Sequence, residues 1–208
     1  DIATLEIFLP LTTGATLIIA TEQEKSNPLK LSRLIEEHNI THMQATPSLW
    51  KMLLQTKWQG KDDLTIFVGG EACSKKLASQ LIDKVQNLYN VYGPTETTIW
   101  SLISKIRNCS EITIGRPIQN TKTYILDKEL NPVPIGCVGE LYIAGSGVTL
   151  GYHNKPTLTK QRFIANPFEL ENKKYGTLYQ TGDLAKYDHN AQIHYLPILS
   201  PKYLNLIS

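Results

Sequence analysis

Helix-period segments alternate with short apolar runs across the first hundred residues, and that rhythm leaves few folds open to this chain. Leu31, Leu34 and Ile35 recur at helical spacing within 29–38, and a short extended run follows at Thr41 to Gln44. Pro47 suits the first turn of a helix reaching Leu54, with Thr46 as its cap. Leu64 to Val68 reads as a buried strand closed by Gly69-Gly70, Ser74 to Asn87 as a second amphipathic helix, and Leu88 to Val91 as the next strand. Strand, helix, strand in this order predicts an α/β fold, a parallel sheet flanked by helices. Ligands of such sheets gather at the carboxyl ends of the strands, where Gly69 and Tyr92 both fall. Beyond about residue 110 the texture becomes β-rich, with short strands expected at Lys122 to Leu126, Val138 to Ala144, Ala185 to Tyr187 and Ile193 to Tyr195. A compositional boundary near residue 105 separates the two textures.

Composition narrows the partners. Apolar residues make up 41% and charged ones 19% of the 208, the balance of a globular chain. The 21 basic and 19 acidic side chains are dispersed and leave a net charge of +2, so neither a nucleic acid nor an anionic membrane is an expected partner. Cys73, Cys109 and Cys137 are odd in number and widely spaced, which argues against a disulfide framework or a zinc site and for reduced, structural thiols. No signal peptide opens the chain and the apolar run Leu17 to Ala20 is too short to cross a bilayer, so a cytoplasmic location is expected. The five histidines lack metal-ligand spacing.

Chemistry concentrates in residues 90–99. Tyr92 offers a flat face to a purine, Gly93-Pro94 turns the backbone, Thr95 can donate to a phosphate oxygen, and Glu96 can hold the hard cation that accompanies phosphates. Taken alone, such a stretch reads first as a polar turn after a buried strand. Gly145-x-Gly147-x-x-x-Gly151 is a loose dinucleotide fingerprint, set aside because its glycine spacing is wrong and no acidic residue follows about 20 positions later at the end of a second strand.

Three motifs in order turn the balance. Asn90 to Glu96 resembles Asn-x-Tyr-Gly-Pro-Thr-Glu; Gly139 to Gly145, continuing through Val148, Gly151-Tyr152, Pro156 and Leu158-Thr159, resembles Gly-Glu-Leu-x-Ile-x-Gly; and Tyr179 to Leu184 resembles Tyr-x-Thr-Gly-Asp-Leu. The chain thereby resembles an adenylation domain of a nonribosomal peptide synthetase, within the adenylate-forming superfamily that also holds acyl-CoA synthetases and luciferases. The resemblance covers residues 1–196, an α/β part (1–105) and a β-rich part (106–196) of one large amino-terminal domain, with 197–208 as a divergent tail.

That resemblance implies ATP-dependent conversion of an amino acid to its adenylate, with magnesium, and transfer to the phosphopantetheine of a peptidyl carrier domain beside a condensation domain. Thr95 would contact the α-phosphate and Glu96 would hold magnesium. Tyr92 would stack on adenine beside Gly93, Asn90 would bond the adenine edge, and Gly70 and Glu71 would form the adjoining loop. Asp183 would accept both ribose hydroxyls, with Tyr195 nearby.

The opening Asp1-Ile2-Ala3-Thr4 resembles the family segment whose aspartate pairs with the substrate ammonium, which favours an amino acid over a plain acyl or aryl acid. The remaining pocket positions fall on Ile2, Leu5, Gln44, Phe67, Gly69, Val91, Ile99 and Trp100. This set is similar to that of glycine-activating members, and its bulk predicts glycine first and alanine second.

The family's phosphate loop is expected upstream of Asp1, and its carboxyl-terminal subdomain with the catalytic lysine is expected after the chain. Where the family continues Tyr-Leu-Gly-Arg, this chain reads Tyr195-Leu196-Pro197-Ile198, and Ala191 replaces a family glycine. On these grounds the isolated fragment is expected to be inactive and prone to associate through sheet edges. A CoA ligase of the same superfamily and a non-catalytic gene remnant are the alternative readings.

Overall fold

The computed structural model describes residues 2–169 and 175–196. These divide into two units, 2–91 with 104–112 and 92–103 with 113–169 and 175–196. Asp1 and the tail 197–208 lie outside the described residues, and so do the expectations placed on them.

In the first unit, helix α1 spans Ile2–Thr13 and α2 Glu22–Ser26. They are followed by α3 (Pro28–Glu37), β1 (His42–Ala45), α4 (Pro47–Leu54), β2 (Lys61–Val68), α5 (Lys75–Leu81) and β3 (Val85–Tyr92, whose last residue counts with the second unit). The helix starts follow capping chemistry. Asn27 accepts the amides of Leu29 and Lys30 ahead of Pro28, Thr46 accepts that of Leu49 ahead of Pro47, and Ser74 accepts that of Leu77. Strands β1, β2 and β3 pair in parallel, with Gln44 opposite Phe67 and Phe67 opposite Tyr89. The helical faces carrying Leu31 and Ile35, Trp50 and Leu53, and Leu77 and Leu81 pack with Leu64, Ile66, Val68 and Leu88 of the sheet into one core.

One boundary departs from the sequence pattern. The helix expected to reach Asn87 stops at Leu81, passes through a 3-10 turn at Ile82–Lys84, and gives way to β3 at Val85. Pairing of Val85 with Lys61 and of Asn87 with Thr65, reinforced by a hydrogen bond from the Asn87 amide to the Thr65 hydroxyl (3.0 Å), overrides the helical periodicity there. On α1, Ile7, Phe8, Leu9 and Leu11 are exposed.

The second unit opens with a 3-10 turn at Thr95–Thr97 and strand β4 (Leu102–Lys105, ending in the first unit), which pairs antiparallel with β5 (Arg116–Pro117). Then come β6 (Thr121–Leu126), β7 (Gly139–Gly145), α6 (Pro156–Arg162), β8 (Phe163–Ala165), β9 (Thr177–Tyr187) and β10 (Ile193–Leu196). An antiparallel sheet runs β10-β9-β7-β6, with β8 against β9. Leu141 and Ile143 of β7 join Leu102, Ile125 and Ile193 in one cluster, while Tyr142 and Ala144 on the opposite pleat join Leu126 and Leu178 in another. Strand β9 is longer than the hydrophobic pattern predicts. It takes in the whole Tyr-x-Thr-Gly-Asp-Leu motif, whose polar residues mask its strand character.

Candidate active site

Much of the candidate chemistry converges within the second unit. Tyr92 leaves β3 into a turn where Gly93 admits no side chain. A Cβ there would sit 2.4 Å from the Ile99 carbonyl oxygen and 2.7 Å from Trp100 Cα, because the 99–101 backbone doubles back and Ser101 donates its amide to the Tyr92 carbonyl (2.8 Å). The turn brings Tyr92 to the carboxylate of β9, and its phenol donates to Asp183 Oδ2 at 2.5 Å. The ring of Tyr195, on β10, lies 6.1 Å from that of Tyr92. Burial, reinforced by the charge of Asp183, pushes the Tyr92 phenol far above its ordinary range, so it stays protonated and donates. Burial also raises Asp183; the Tyr92 hydrogen bond opposes this and the charge of Glu140 adds to it.

Glu96 sits in the middle of the 3-10 turn, and the segment after β7 laces onto that turn. Thr149 donates its amide to the Glu96 carbonyl (2.9 Å), the Thr98 hydroxyl donates to the Gly147 carbonyl (2.6 Å), and the Tyr152 phenol donates to Glu96 Oε1 (2.6 Å). The glycine spacing that mimics a dinucleotide fingerprint therefore has a packing reason, since a Cβ on Gly147 would meet the Thr97 carbonyl oxygen at 2.6 Å. Burial presses the Glu96 carboxyl upward. Hydrogen bonds from Tyr152, its own backbone and Tyr179, with the charge of Arg162, outweigh that and hold it below the usual carboxylate range. Glu96 is thus an ionised oxygen donor at neutral pH. Among the described residues no group of three or more His, Cys, Asp or Glu side chains comes together as a protein-only metal cage. One carboxylate that shares its cation with phosphates is how magnesium is ordinarily held beside a nucleotide, so Glu96 fits that ion. Thr98 and Ile99 take φ of 64° and 65°, left-handed values that are rare for a β-branched residue and common beside functional turns.

The other candidates fall in the first unit. Gly70 follows β2 with φ of 78°, and Glu71 accepts from the Ser48 hydroxyl at the start of α4 (2.9 and 3.2 Å). Asn90 and Val91 are buried on β3. Gln44 donates its amide to the Ile2 carbonyl (3.2 Å), Phe67 stacks on Tyr89 with centroids 5.3 Å apart, and Gly69 donates its amide to the Ala45 carbonyl. Ile2 and Leu5 are half-buried on α1. Ile99 and Trp100 belong to the second unit with Tyr92, Thr95 and Glu96.

The AMP-binding enzyme family matches residues 1–153. The chain belongs to that family. Among its relatives, the PKS-NRPS hybrid synthetase acdB of Aspergillus candidus is 45% identical over 89% of this chain and 7% of its own length. The dimodular nonribosomal peptide synthase of Bacillus subtilis (strain 168) is 41% identical over 94% of this chain and 8% of its own. The chain thus spans less than a tenth of the length of either. A four-domain nonribosomal peptide synthetase in holo form, bound to AMP and glycine, matches with a TM-score of 0.89 and 38% identity over 94% of this chain and 15% of that one. The NpsA N-terminal subdomain of Klebsiella oxytoca, in complex with 3-hydroxybenzoyl-AMSN, matches with a TM-score of 0.76 and 26% identity over 92% of this chain and 50% of that one. The α/β fold is therefore that of the amino-terminal domain of adenylate-forming synthetases.

Several side chains of this AMP-binding fold went unassigned from sequence. Tyr152 and Glu140 lie inside a recognised motif, but their partners Glu96 and Gly182 are 56 and 42 residues away. Arg162 acts on Glu96 through charge and has no motif to mark it. Cys73, Cys109 and Cys137 are free thiols, and burial pushes the Cys73 thiol up to about 11, an inert value at neutral pH. Among the described residues no helix is long and apolar enough to cross a membrane.

Proposed function

We propose that this chain takes part in ATP-dependent activation of a small amino acid, glycine first and alanine second, as its aminoacyl adenylate. In this reading residues 1–196 belong to one adenylation domain, and the adenylate is passed to the phosphopantetheine thiol of a peptidyl carrier domain next to a condensation domain in a cytoplasmic synthetase. The observation that carries it is the 2.5 Å hydrogen bond from Tyr92 to Asp183, which joins two motifs 91 residues apart.

The tasks divide by chemistry. A carboxylate becomes an electrophile only when its oxygen attacks the α-phosphorus and pyrophosphate leaves, so the protein must position the groups and offset developing charge. Tyr92 supplies the flat face for adenine, and its phenol fixes one oxygen of Asp183. The Asp183 carboxylate accepts the ribose hydroxyls, a task suited to one group with two oxygens. Asn90 bonds the base, with Gly70 and Glu71 beside it, and Thr95 donates to the α-phosphate. Glu96 would hold magnesium, whose charge offsets that of the phosphates. Asp1 pairs with the substrate ammonium.

The glycine preference proposed here rests on the identities at the pocket positions: bulky Trp100, Phe67, Ile2, Leu5 and Ile99, with Gln44, Gly69 and Val91. It is supported by the similarity to a synthetase solved with AMP and glycine. Steric exclusion of a methyl group is the means of discrimination available to such a set. The test is amino-acid-dependent pyrophosphate exchange with the standard amino acids, run on the polypeptide that carries this chain. Glycine-dependent exchange is the expected result. No exchange with any amino acid, together with exchange that depends on an acyl or aryl acid, overturns the amino-acid reading.

A further inference from the structure

Strand β9 is interrupted where the site needs it. Glu140 pairs with Leu184 and Tyr142 with Gln180, so Leu141 alone stands opposite Thr181, Gly182 and Asp183. This bulge, with Gly182 at φ of 81°, bends β9 and turns Asp183 toward Tyr92. It also takes two backbone amides out of the ladder, and each needs another acceptor. Gly182 donates to Glu140 Oε1 (3.0 Å), and Asp183 donates to the Thr181 hydroxyl oxygen (3.0 Å), which itself donates to the Leu141 carbonyl (2.7 Å). The second oxygen of Glu140 is taken by the Gln180 amide (2.9 Å) and the Tyr142 phenol (3.1 Å). The half-buried Glu140 carboxylate therefore spends both oxygens on the bulge and its flanking strands rather than on solvent.

We propose that Glu140 is a positioning residue for nucleotide binding, acting through the bulge at 181–183 to set the direction of the Asp183 carboxylate. A neutral amide at position 140 keeps the shape but offers one acceptor atom in place of two, so either Gly182 or the Gln180 and Tyr142 donors lose their partner. The bulge then loosens and Asp183 loses its aim, while the adenine face on Tyr92 is untouched. The effect must therefore follow the ribose hydroxyls. The inference rests on the nucleotide reading above and deepens it.

The test measures equilibrium binding of ATP and of 2′,3′-dideoxy-ATP, which lacks the hydroxyls that Asp183 accepts. It uses the polypeptide that carries this chain, unsubstituted and as E140Q, D183N and the double variant, with circular dichroism melts to verify folding. Thr181→Val, which removes the other clasp of the bulge, serves as a second variant should E140Q fail to fold. Expected is a roughly tenfold weaker ATP affinity for E140Q, the scale of one lost charge-assisted hydrogen bond. Less than about a twofold change is expected for the dideoxy analogue, or when E140Q is added to D183N, because coupled residues are non-additive. Equal weakening for both nucleotides, full additivity with D183N, or unchanged ATP affinity in a folded E140Q overturns the proposal. No ATP binding by the unsubstituted polypeptide that carries this chain overturns the nucleotide reading first, and this inference with it.

Discussion

Two carboxylates of the candidate site are pushed in opposite directions, and pH separates them. Asp183 is raised by burial and by the charge of Glu140, against the opposing Tyr92 hydrogen bond. Folding thus tightens its hold on a proton, and the group detracts from stability as pH rises from the ordinary aspartate value through the raised one. Glu96 is lowered on balance, so its contribution is present above the ordinary glutamate value and is lost as pH falls through the depressed one. If Asp183 must be ionised to accept ribose hydroxyls, ATP affinity declines on acidification while Glu96 is still charged. A titration of ATP affinity from pH 7 downward is expected to show this decline in the unsubstituted chain and to lose it in D183N. An unchanged profile in D183N removes Asp183 from the ribose role. A neighbouring prediction concerns Tyr152, whose phenol fixes one oxygen of Glu96. Tyr152→Phe is expected to cost about 0.5–1.5 kcal/mol in urea unfolding and to weaken ATP binding in the presence of magnesium but not in its absence. Equal weakening with and without magnesium would show that Tyr152 acts on the fold alone.

At the scale of elements, close backbone approaches decide which residues are replaceable. The segment after β7 crosses the 3-10 turn so tightly that Gly147→Ala places a Cβ 2.6 Å from the Thr97 carbonyl oxygen. A loss of roughly 1–3 kcal/mol in thermal or urea unfolding is expected, with Glu96 displaced, since overpacking cannot be relieved by a flexible side chain here. The opposite sign is expected between β9 and β10. Ala191 occupies a position where the family resemblance expects glycine, and it adopts φ of 55° in the turn whose amide bonds the Asp188 carbonyl (3.0 Å). Left-handed backbone costs an alanine about 1 kcal/mol or more, partly offset by the greater freedom of glycine when unfolded. Ala191→Gly is therefore expected to raise stability by about 0.5–1 kcal/mol, measured by urea midpoint. The same comparison shows what was legible in the sequence. The caps at Asn27, Thr46 and Ser74, the strand at Leu64 to Val68 and the Tyr-Gly-Pro turn are local chemistry, readable from neighbouring residues. The early end of α5, the bulge in β9 and the pairing of Glu140 with Gly182 are set by partners on other strands, which no local period encodes.

For the whole chain, the proposed substrate choice depends on residues that belong to different units, and only their identities, not a local pattern, point to it. Ile2, Leu5, Gln44, Phe67, Gly69 and Val91 come from the first unit, Ile99 and Trp100 from the second. Each is also a plausible packing residue, and Phe67 does stack on Tyr89. A substitution at one position therefore cannot separate specificity from stability, whereas moving the set as one piece can. The chain aligns over more than nine-tenths of its length with one continuous region of the Bacillus subtilis synthase, which makes segment exchange feasible. Placed in the corresponding region of an adenylation domain that activates a bulky amino acid, this chain is expected to redirect pyrophosphate exchange to glycine. Trp100→Ala in the hybrid is expected to open the pocket, raising the alanine-to-glycine ratio of kcat/KM by roughly 10-fold or more, the scale of one methyl group in a tight site. Exchange that stays with the recipient's bulky amino acid would show that selectivity resides outside these residues. A folded hybrid that accepts small and bulky amino acids equally would show that Trp100 and Phe67 fill core space rather than a substrate pocket.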